Sequence, residues 1–179
     1  MELTANYTDR TDEVIELFNS TFAASEGAAE GELIAQLVRE MFATVSPEDI
    51  FVFLALDNEA ITGAIIFTRL TYPDDARTVF VLAPVAVATS QQGKGVGQAL
   101  LNYGLSHLRD CNVDVALTYG DPSYYTRVGF EQISDTLAQP PLKLEYPEGW
   151  LGQSLSDKPL TQLSGRSHCV AALNSPNYW

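Results

Sequence analysis

The alternation of apolar and polar positions predicts a chain of mixed helices and strands. The longest apolar run is Val79–Val87, VFVLAPVAV, which is long enough for a buried strand. A short polar loop and a glycine-rich stretch follow, and a helix is then predicted after Gly97, to about Asp110. Its apolar residues fall on one face, at intervals that suit a helical period: Leu100, Leu101, Gly104, Leu105, Leu108 and Cys111.

The part of the chain before this strand predicts an edge strand, two amphipathic helices and a β-hairpin. In order, these elements are Glu2–Tyr7, Asp12–Phe22, Glu32–Phe42 and the paired strands Ile50–Leu56 and Ala60–Thr71. We expect Asp9 or Thr11 to cap the first helix. The small, polar stretch Ala23–Gly31 is predicted to be a loop.

Downstream of the central helix, Val113–Tyr119 predicts a strand parallel to Val79–Val87, because a helix crosses over between the two. A short helix over Ser123–Val128 is expected, with Asp121 as its cap and Gly129 at its end. Phe130 then begins another strand. The tail from Gln139 is rich in proline and glycine and is predicted to be loop-like, except for a closing strand over Cys169–Leu173.

These elements predict an α/β fold with a mixed central sheet. Its first strands are antiparallel, its later strands form a parallel βαβ unit, and helices flank it. We expect one domain over residues 1–179, with a loop-rich C-terminal extension from about residue 131.

The charge and composition of the chain indicate which kinds of molecule it can bind. The chain has 23 acidic and 10 basic residues and a net charge of −13, which argues against nucleic acid binding. No apolar run reaches the length of a membrane span, and the N-terminus lacks the pattern of a signal peptide, so we expect a cytoplasmic protein. The acidity either favours a cationic amine substrate or only keeps the protein in solution.

The cysteines and histidines do not have the spacing of a metal site. Cys111 and Cys169 stand alone in apolar surroundings, and both are predicted to be buried thiols in a reducing compartment. His107 and His168 are far apart in the sequence. No metal is therefore expected, and His107 is predicted to be a surface residue.

Three alternating glycines separate the central strand from the central helix. Gly93, Gly95 and Gly97 let the backbone approach a ligand closely, and the first turn of a helix offers free N–H groups to an anion. A phosphate-bearing ligand is the first interpretation, and a simple tight turn is the alternative. Neither the Walker spacing nor the dinucleotide fingerprint fits these glycines, which weakens an NAD-dependent oxidoreductase as an interpretation.

Two motifs in this region resemble those of the GNAT acetyltransferase superfamily. Gln92-Gly93-Lys94-Gly95-Val96-Gly97 matches its acyl-CoA loop pattern, Q/R-x-x-G-x-G/A. About thirty residues later, Gly120–Phe130 reads GDPSYYTRVGF and is similar to the G-D-P-x-Y-Y-x-R-x-G-F form of one bacterial branch. The resemblance covers about Phe51–Phe130.

The resemblance implies acetyl-CoA as cosubstrate and assigns roles to individual residues. The pyrophosphate is expected on the backbone N–H groups of Gly93, Lys94, Gly95, Val96, Gly97 and Gln98, with Gln92 orienting the loop. The Lys94 side chain either assists the phosphates or is a solvated loop lysine. Pro84 predicts a local bulge or a parting of the strand from its neighbour, and the resemblance places the pantetheine arm there, against Val85, Ala86 and Val87. Tyr125 is the expected general acid, and Tyr124 a packing residue.

The function implied is direct transfer of an acetyl group, in a ternary complex, to the amine of a small molecule or peptide. The sequence does not identify the base: Asp121, Glu59 and Glu32 are candidates, and no motif favours any of them. Acyl groups other than acetyl stay open, and the C-terminal extension forms either a wall of the acceptor pocket or a homodimer contact. The alternative function is a non-catalytic CoA-binding sensor.

Overall fold

A computed structural model describes all residues, 1–179. Its contacts divide the chain into two compact units. The first comprises Met1–Phe67 and Pro84–Gly104, and the second Thr68–Ala83 and Leu105–Trp179. The single domain expected from the sequence stays a prediction.

The chain forms four α-helices and one seven-stranded sheet. The elements are β1 (Glu2–Thr4), α1 (Thr11–Glu26), α2 (Ala28–Thr44), β2 (Ile50–Asp57), β3 (Ala60–Arg69), β4 (Val79–Val87), α3 (Val96–Asp110), β5 (Val115–Tyr119), α4 (Pro122–Tyr125), β6 (Glu131–Gln132) and β7 (Trp150–Ser154). The strand order is β1-β2-β3-β4-β5-β7-β6, in which β4 and β5 are parallel. The predicted mixed α/β fold is thus confirmed. None of the helices is long and apolar enough to cross a membrane.

In the first unit, β2 and β3 form the predicted hairpin. Asn58 and Glu59 make the turn with φ angles of 47° and 68°, the left-handed conformation that suits the twist of a two-residue hairpin. At the edge of the sheet, β1 pairs antiparallel with β2, from Glu2↔Leu56 to Thr4↔Leu54. The predicted edge strand is therefore present, although shorter.

The loop predicted over Ala23–Gly31 is wrong. α1 continues to Glu26 and α2 begins at Ala28, because alanine and glutamate favour helix and Gly27 alone makes the break, at a φ of 104°. Gly31 lies inside α2 and packs closely against α1: a Cβ atom there would lie 2.6 Å from the carbonyl oxygen of Asn19. A residue that looks like a loop former in the sequence is thus a packing residue.

The predicted cap of α1 is also wrong. A short 3₁₀ turn over Thr8–Arg10 precedes the helix, so Arg10 occupies the cap position and no side chain caps the first turn. Thr11 is already helical, and Asp9 lies within the 3₁₀ turn. The buried faces of α1 and α2 nevertheless follow the predicted periodicity: Val14, Leu17, Phe18, Ile34, Leu37, Val38 and Met41.

In the second unit, β5 is paired on both sides. Its ladder with β4 runs from Val79↔Val115 to Leu82↔Thr118, and β7 pairs antiparallel along its other edge, from Val115↔Ser154 to Tyr119↔Trp150. β7 falls in the tail predicted to be loop-like, so that prediction is wrong for Trp150–Ser154. β6 adds a short edge to β7, with Gln132↔Leu151 as one of its pairs.

The closing strand predicted over Cys169–Leu173 does not form. His168 makes one isolated bridge with Thr71, and Ala171–Leu173 is a 3₁₀ turn. The carbonyl oxygen of Leu173 instead accepts a hydrogen bond from Nε1 of Trp179, at 2.8 Å. Ala172 and Leu173 are buried in this turn and not in a sheet.

The two thiols are less buried than predicted. Cys111 follows the last turn of α3 and is exposed, because the helix ends at Asp110, before the apolar face would include it. Cys169 is partly exposed, in the irregular segment just after His168.

Candidate functional site

The glycine loop lies between β4 and α3, in the first unit. Gly93 and Gly95 adopt φ angles of 74° and 81°, which an L side chain rarely adopts. No atom lies within 4 Å of a Cβ placed at either residue. The backbone conformation at these two positions therefore favours glycine, and the space beside the backbone there is open.

The loop presents a run of free backbone donors. Ala99 is the first residue to donate a helical hydrogen bond, to the carbonyl oxygen of Gly95 at 3.0 Å. The six N–H groups before it, those of Gly93–Gln98, donate to no protein group. Successive N–H groups around left-handed residues at the start of a helix form a concave anion site.

The residues flanking these donors fix the shape of the loop. Nε2 of Gln92 donates to the carbonyl oxygen of Val87 at 3.1 Å, which ties the loop back to the end of β4. Val96 and Gly97 are buried, and Cγ1 of Val96 lies 3.3 Å from a Cβ placed at Gly63 of β3. Lys94 is exposed, so both interpretations of its side chain stay open.

The C-terminal half of β4 lies beyond the residues that pair with β5. The ladder with β5 ends at Leu82, before Pro84, which has no N–H group to donate. Ala86 is buried, whereas Val85 and Val87 are partly exposed. After the strand, the N–H group of Ala88 donates to the carbonyl oxygen of Thr62 at 2.8 Å.

Tyr125 lies at the end of the short helix α4, in the second unit, and the predicted cap of that helix is confirmed. Oδ1 of Asp121 accepts from the N–H group of Ser123 at 2.8 Å, and Oδ2 accepts from its hydroxyl at 2.9 Å. Pro122 takes the first helical position, and Gly129 ends the following 3₁₀ turn in the left-handed conformation.

The ring of Tyr125 packs against backbone that only glycine allows. A Cβ atom at Gly120 would lie 2.7 Å from Cε2 of Tyr125. The rings of Tyr124 and Phe130 approach it edge to face, with centroids 5.1 and 5.9 Å away. These contacts fix the phenol in one orientation.

The pKa of Tyr125 is raised well above its ordinary value, first by burial of the phenol and then by the neighbouring Tyr124. A hydrogen bond with Thr118 acts in the opposite direction. Thr118 is fully buried in β5, and its hydroxyl donates to the carbonyl oxygen of Leu82 at 3.0 Å. Thr118 is not among the predicted site residues, because its only signal in the sequence is one hydroxyl in an apolar strand.

The structure does not identify a general base. The carboxylate of Asp121 is engaged by the cap, and Glu32 pairs with Arg39 at 3.3 Å on an exposed surface. Glu59 lies in the hairpin turn. No group of three or more His, Cys, Asp or Glu side chains is arranged to hold a metal ion.

The predicted site residues thus fall into two sets. Val85–Gln98 lie together around the glycine loop of the first unit, while Tyr125 lies in the second unit with Thr118. The first set contains a row of free backbone donors, and the second contains a phenol that neighbouring rings hold in one orientation.

Comparison with known proteins identifies the family. The model of the acetyltransferase (GNAT) domain matches residues 4–133. The uncharacterized N-acetyltransferase YjhQ of Escherichia coli K12 is 32% identical over 174 residues, which cover 93% of this chain and 92% of that protein.

Solved structures show the same fold. The GNAT family N-acetyltransferase YhbS of Escherichia coli, in complex with CoA, aligns with a TM-score of 0.80 at 20% identity and covers 97% of this chain and 92% of its own. A GNAT family acetyltransferase of Brucella melitensis, in complex with acetyl-CoA, aligns with a TM-score of 0.74 at 19% identity and covers 97% of both chains. From its domain match and its relative of near-equal length, this chain belongs to the GNAT acetyltransferase family.

Proposed function

We propose that this protein is an acetyl-CoA-dependent N-acetyltransferase that transfers the acetyl group directly to an amine in a ternary complex. The observation that carries the proposal is the row of six free N–H groups over Gly93–Gln98. In a GNAT chain, such a row is suited to the pyrophosphate of an acyl-CoA. The CoA and acetyl-CoA complexes of YhbS and of the Brucella protein support this choice of ligand.

The rest of the cosubstrate is proposed to lie along the end of β4. The pantetheine arm contains amide groups, which can pair with Val85, Ala86 and Val87 as an added strand does. The parallel ladder ends before these residues, so an extended ligand has backbone groups to pair with. The side chain of Gln92 holds the loop against the end of β4 through its hydrogen bond to the carbonyl oxygen of Val87.

In the reaction, the nitrogen of a neutral amine attacks the carbonyl carbon of the thioester and the C–S bond breaks. The CoA thiolate leaves and takes a proton from the hydroxyl of Tyr125, while the amine nitrogen gives up its own proton to a base that we leave open. The products are the N-acetylated amine and CoA thiol. The tyrosine recovers its proton from solvent before the next turnover.

The raised pKa of Tyr125 suits an acid that must stay protonated. Burial raises the pKa of Tyr125 and so favours the neutral phenol, the form that can donate a proton. A phenol is a weaker acid than a thiol in water, but burial raises the pKa of a thiolate as well as that of a phenolate. Burial therefore raises the proton affinity of both groups, so the raised pKa of the phenol does not by itself prevent proton transfer to the leaving sulfur.

Binding is tested first, by thermal shift with acetyl-CoA, CoA and NAD. We expect stabilisation by both CoA species and none by NAD. Gly95→Ala strains the loop at a positive φ and is expected to abolish the shift. Gly27→Ala is the matched control, because Gly27 also has a positive φ and open space around it but lies in the α1–α2 turn. No shift in the wild type would exclude the assigned cosubstrate.

Catalysis is tested by release of CoA thiol across a panel of amines. Tyr125→Phe is expected to lower kcat by about 10²-fold with unchanged affinity for acetyl-CoA, which is the usual scale of general acid catalysis. Tyr124→Phe removes a neighbouring hydroxyl and should leave most activity. Acetyl-CoA binding without thiol release from any amine, or equal activity of Tyr125→Phe and wild type, would refute the assigned chemistry.

A further inference from the structure

A cavity of about 430 Å³ lies in the second unit, beside the proline-rich segment between β6 and β7. Its volume falls in the range of small-molecule sites. Five residues form an apolar wall, of which Pro141 and Leu144 are themselves buried: Pro140, Pro141, Leu142, Leu144 and Pro147. The wall offers a surface for an apolar group of modest size.

This wall is held in place before any ligand binds. The carbonyl oxygen of Gln139 accepts hydrogen bonds from the hydroxyls of Tyr72, at 2.8 Å, and Ser167, at 2.6 Å. The adjacent carbonyl of Ala138 accepts from Nε1 of Trp150 at 2.8 Å. Prolines fix their own φ angles. A ligand therefore loses little binding free energy to ordering the cavity.

Charged groups at the cavity have no partners within the protein. Arg166, Lys143 and Asp135 all line it and are exposed, and none of them is in an ion pair. Arg166 and Asp135 also line a second cavity of about 400 Å³, yet they do not pair with each other. Two free cations at one cavity are notable in a chain with a net charge of −13.

We propose that this cavity binds an apolar amino acid in its zwitterionic form. The carboxylate is held at Arg166 and Lys143, the ammonium group at Asp135, and the side chain against the proline wall. Asp135 favours a zwitterion over a simple carboxylate, because it would repel a ligand that carries only negative charge. The proposal concerns binding at this cavity and does not rest on the proposed acetyl transfer.

The test is isothermal titration calorimetry of the full chain, without acetyl-CoA, using three probes. L-leucine carries both charges, 4-methylpentanoate lacks the amine, and 3-methylbutylamine lacks the carboxylate. Leucine is expected to bind most tightly, 4-methylpentanoate more weakly, and 3-methylbutylamine not saturably. Arg166→Gln should weaken leucine binding by about tenfold, the scale of one charge-assisted hydrogen bond.

Two further variants make the result specific. Asp135→Asn should weaken leucine binding several-fold but leave that of 4-methylpentanoate unchanged or improved. Lys158→Gln is the matched control, because Lys158 is also an exposed cation of this unit but lines a different cavity; it should leave both affinities unchanged. Thermal melts establish that each variant is folded, as expected for substitutions of exposed side chains.

Three results would overturn the proposal. The first is the absence of saturable leucine binding to wild type. The second is equal leucine affinity in Arg166→Gln and wild type. The third is 4-methylpentanoate binding at least as tightly as leucine, which would make the cavity a site for simple carboxylates. Because acetyl-CoA is left out, none of these results bears on the acetyltransferase assignment.

Discussion

The turn between β3 and β4 contains an ion pair whose removal gives a sharp test of the fold. The Asp75 side chain is 8% exposed and its partner Arg77 28%. The carboxylate accepts from Nε and Nη2 of Arg77, at 2.9 and 2.8 Å, and from the N–H groups of Arg77 and Ser164. Arg77 also donates to the carbonyl oxygens of Thr161 and Gln162. The pair therefore holds a tail segment against the turn.

Asp75→Asn keeps the shape of the side chain but removes its charge. Hydrogen bonds to charged groups contribute about 1.5–3 kcal/mol each, and they are not additive. Breaking a buried pair costs about 3–5 kcal/mol, and Arg77 keeps both some solvent contact and its carbonyl partners. We therefore expect a loss of about 3 kcal/mol in the free energy of unfolding, which lowers the Tm by about 6–12 °C for a chain of this length.

Urea unfolding and thermal melts at pH 7 measure the effect. The control is Glu13→Gln, which breaks the exposed pair of Arg10 and Glu13. An exposed pair contributes little, so this variant should not move the midpoint measurably. Equal midpoints for Asp75→Asn and wild type would refute the assignment of the buried pair as a stabilising clamp.

The pH dependence of the same variant is a second check on the mechanism. The side-chain hydrogen bonds from Arg77 hold the pKa of Asp75 well below its ordinary value. The unfolded chain thus binds a proton near pH 4 that the native state does not. The stability that Asp75 contributes is complete above the unfolded pKa and is lost as the pH falls through the native pKa. The difference between wild type and Asp75→Asn should shrink as the pH is lowered from 5 towards 2.

Three further substitutions test individual contacts in the core and between the helices. The hydroxyl of Thr68 is buried without a hydrogen-bond partner, so Thr68→Val should stabilise the protein by about 1 kcal/mol in urea unfolding. The hydroxyl of Thr118 donates to the carbonyl oxygen of Leu82, so Thr118→Val should destabilise the protein by about 1 kcal/mol. Opposite signs are required, and the same sign for both would contradict the argument. Gly31→Ala places a methyl group 2.6 Å from the carbonyl oxygen of Asn19; overpacking costs about 1–3 kcal/mol and helix propensity returns up to about 1 kcal/mol, so we expect a net loss in thermal melts.

The parts of the fold that the sequence predicted are those decided by nearby residues. Val79–Val87 is a strand with the predicted bounds, because it is a continuous apolar run between polar turns. Asp121 caps its helix as expected, since a cap depends on the next two or three residues. The glycine loop also lies between a strand and a helix as predicted, and two of its three glycines, Gly93 and Gly95, adopt positive φ angles there.

The parts that the sequence did not predict depend on distant partners. WLGQS, at Trp150–Ser154, has no strong strand pattern, and it becomes β7 because β5 and β6 pair along its two edges. A Cβ atom at Gly152 would lie 2.8 Å from Cδ2 of Leu117. The glycine, a residue that usually disfavours strands, therefore leaves room for this side chain of the neighbouring strand β5. Gly31 has the same role between α1 and α2, where it leaves room for the carbonyl oxygen of Asn19.

The anion site that we propose at Gly93–Gln98 consists of backbone N–H groups, which suits a strongly acidic chain. With a net charge of −13, the protein as a whole repels an anionic cosubstrate. Lys94 is the only cation between Val79 and Gln98, so side chains supply little attraction there. Amide dipoles add no net charge, act at hydrogen-bond distance and lose strength quickly beyond it. A row of N–H groups at Gly93–Gln98 can therefore hold a phosphate locally, while the acidic surface remains free to attract a cationic amine.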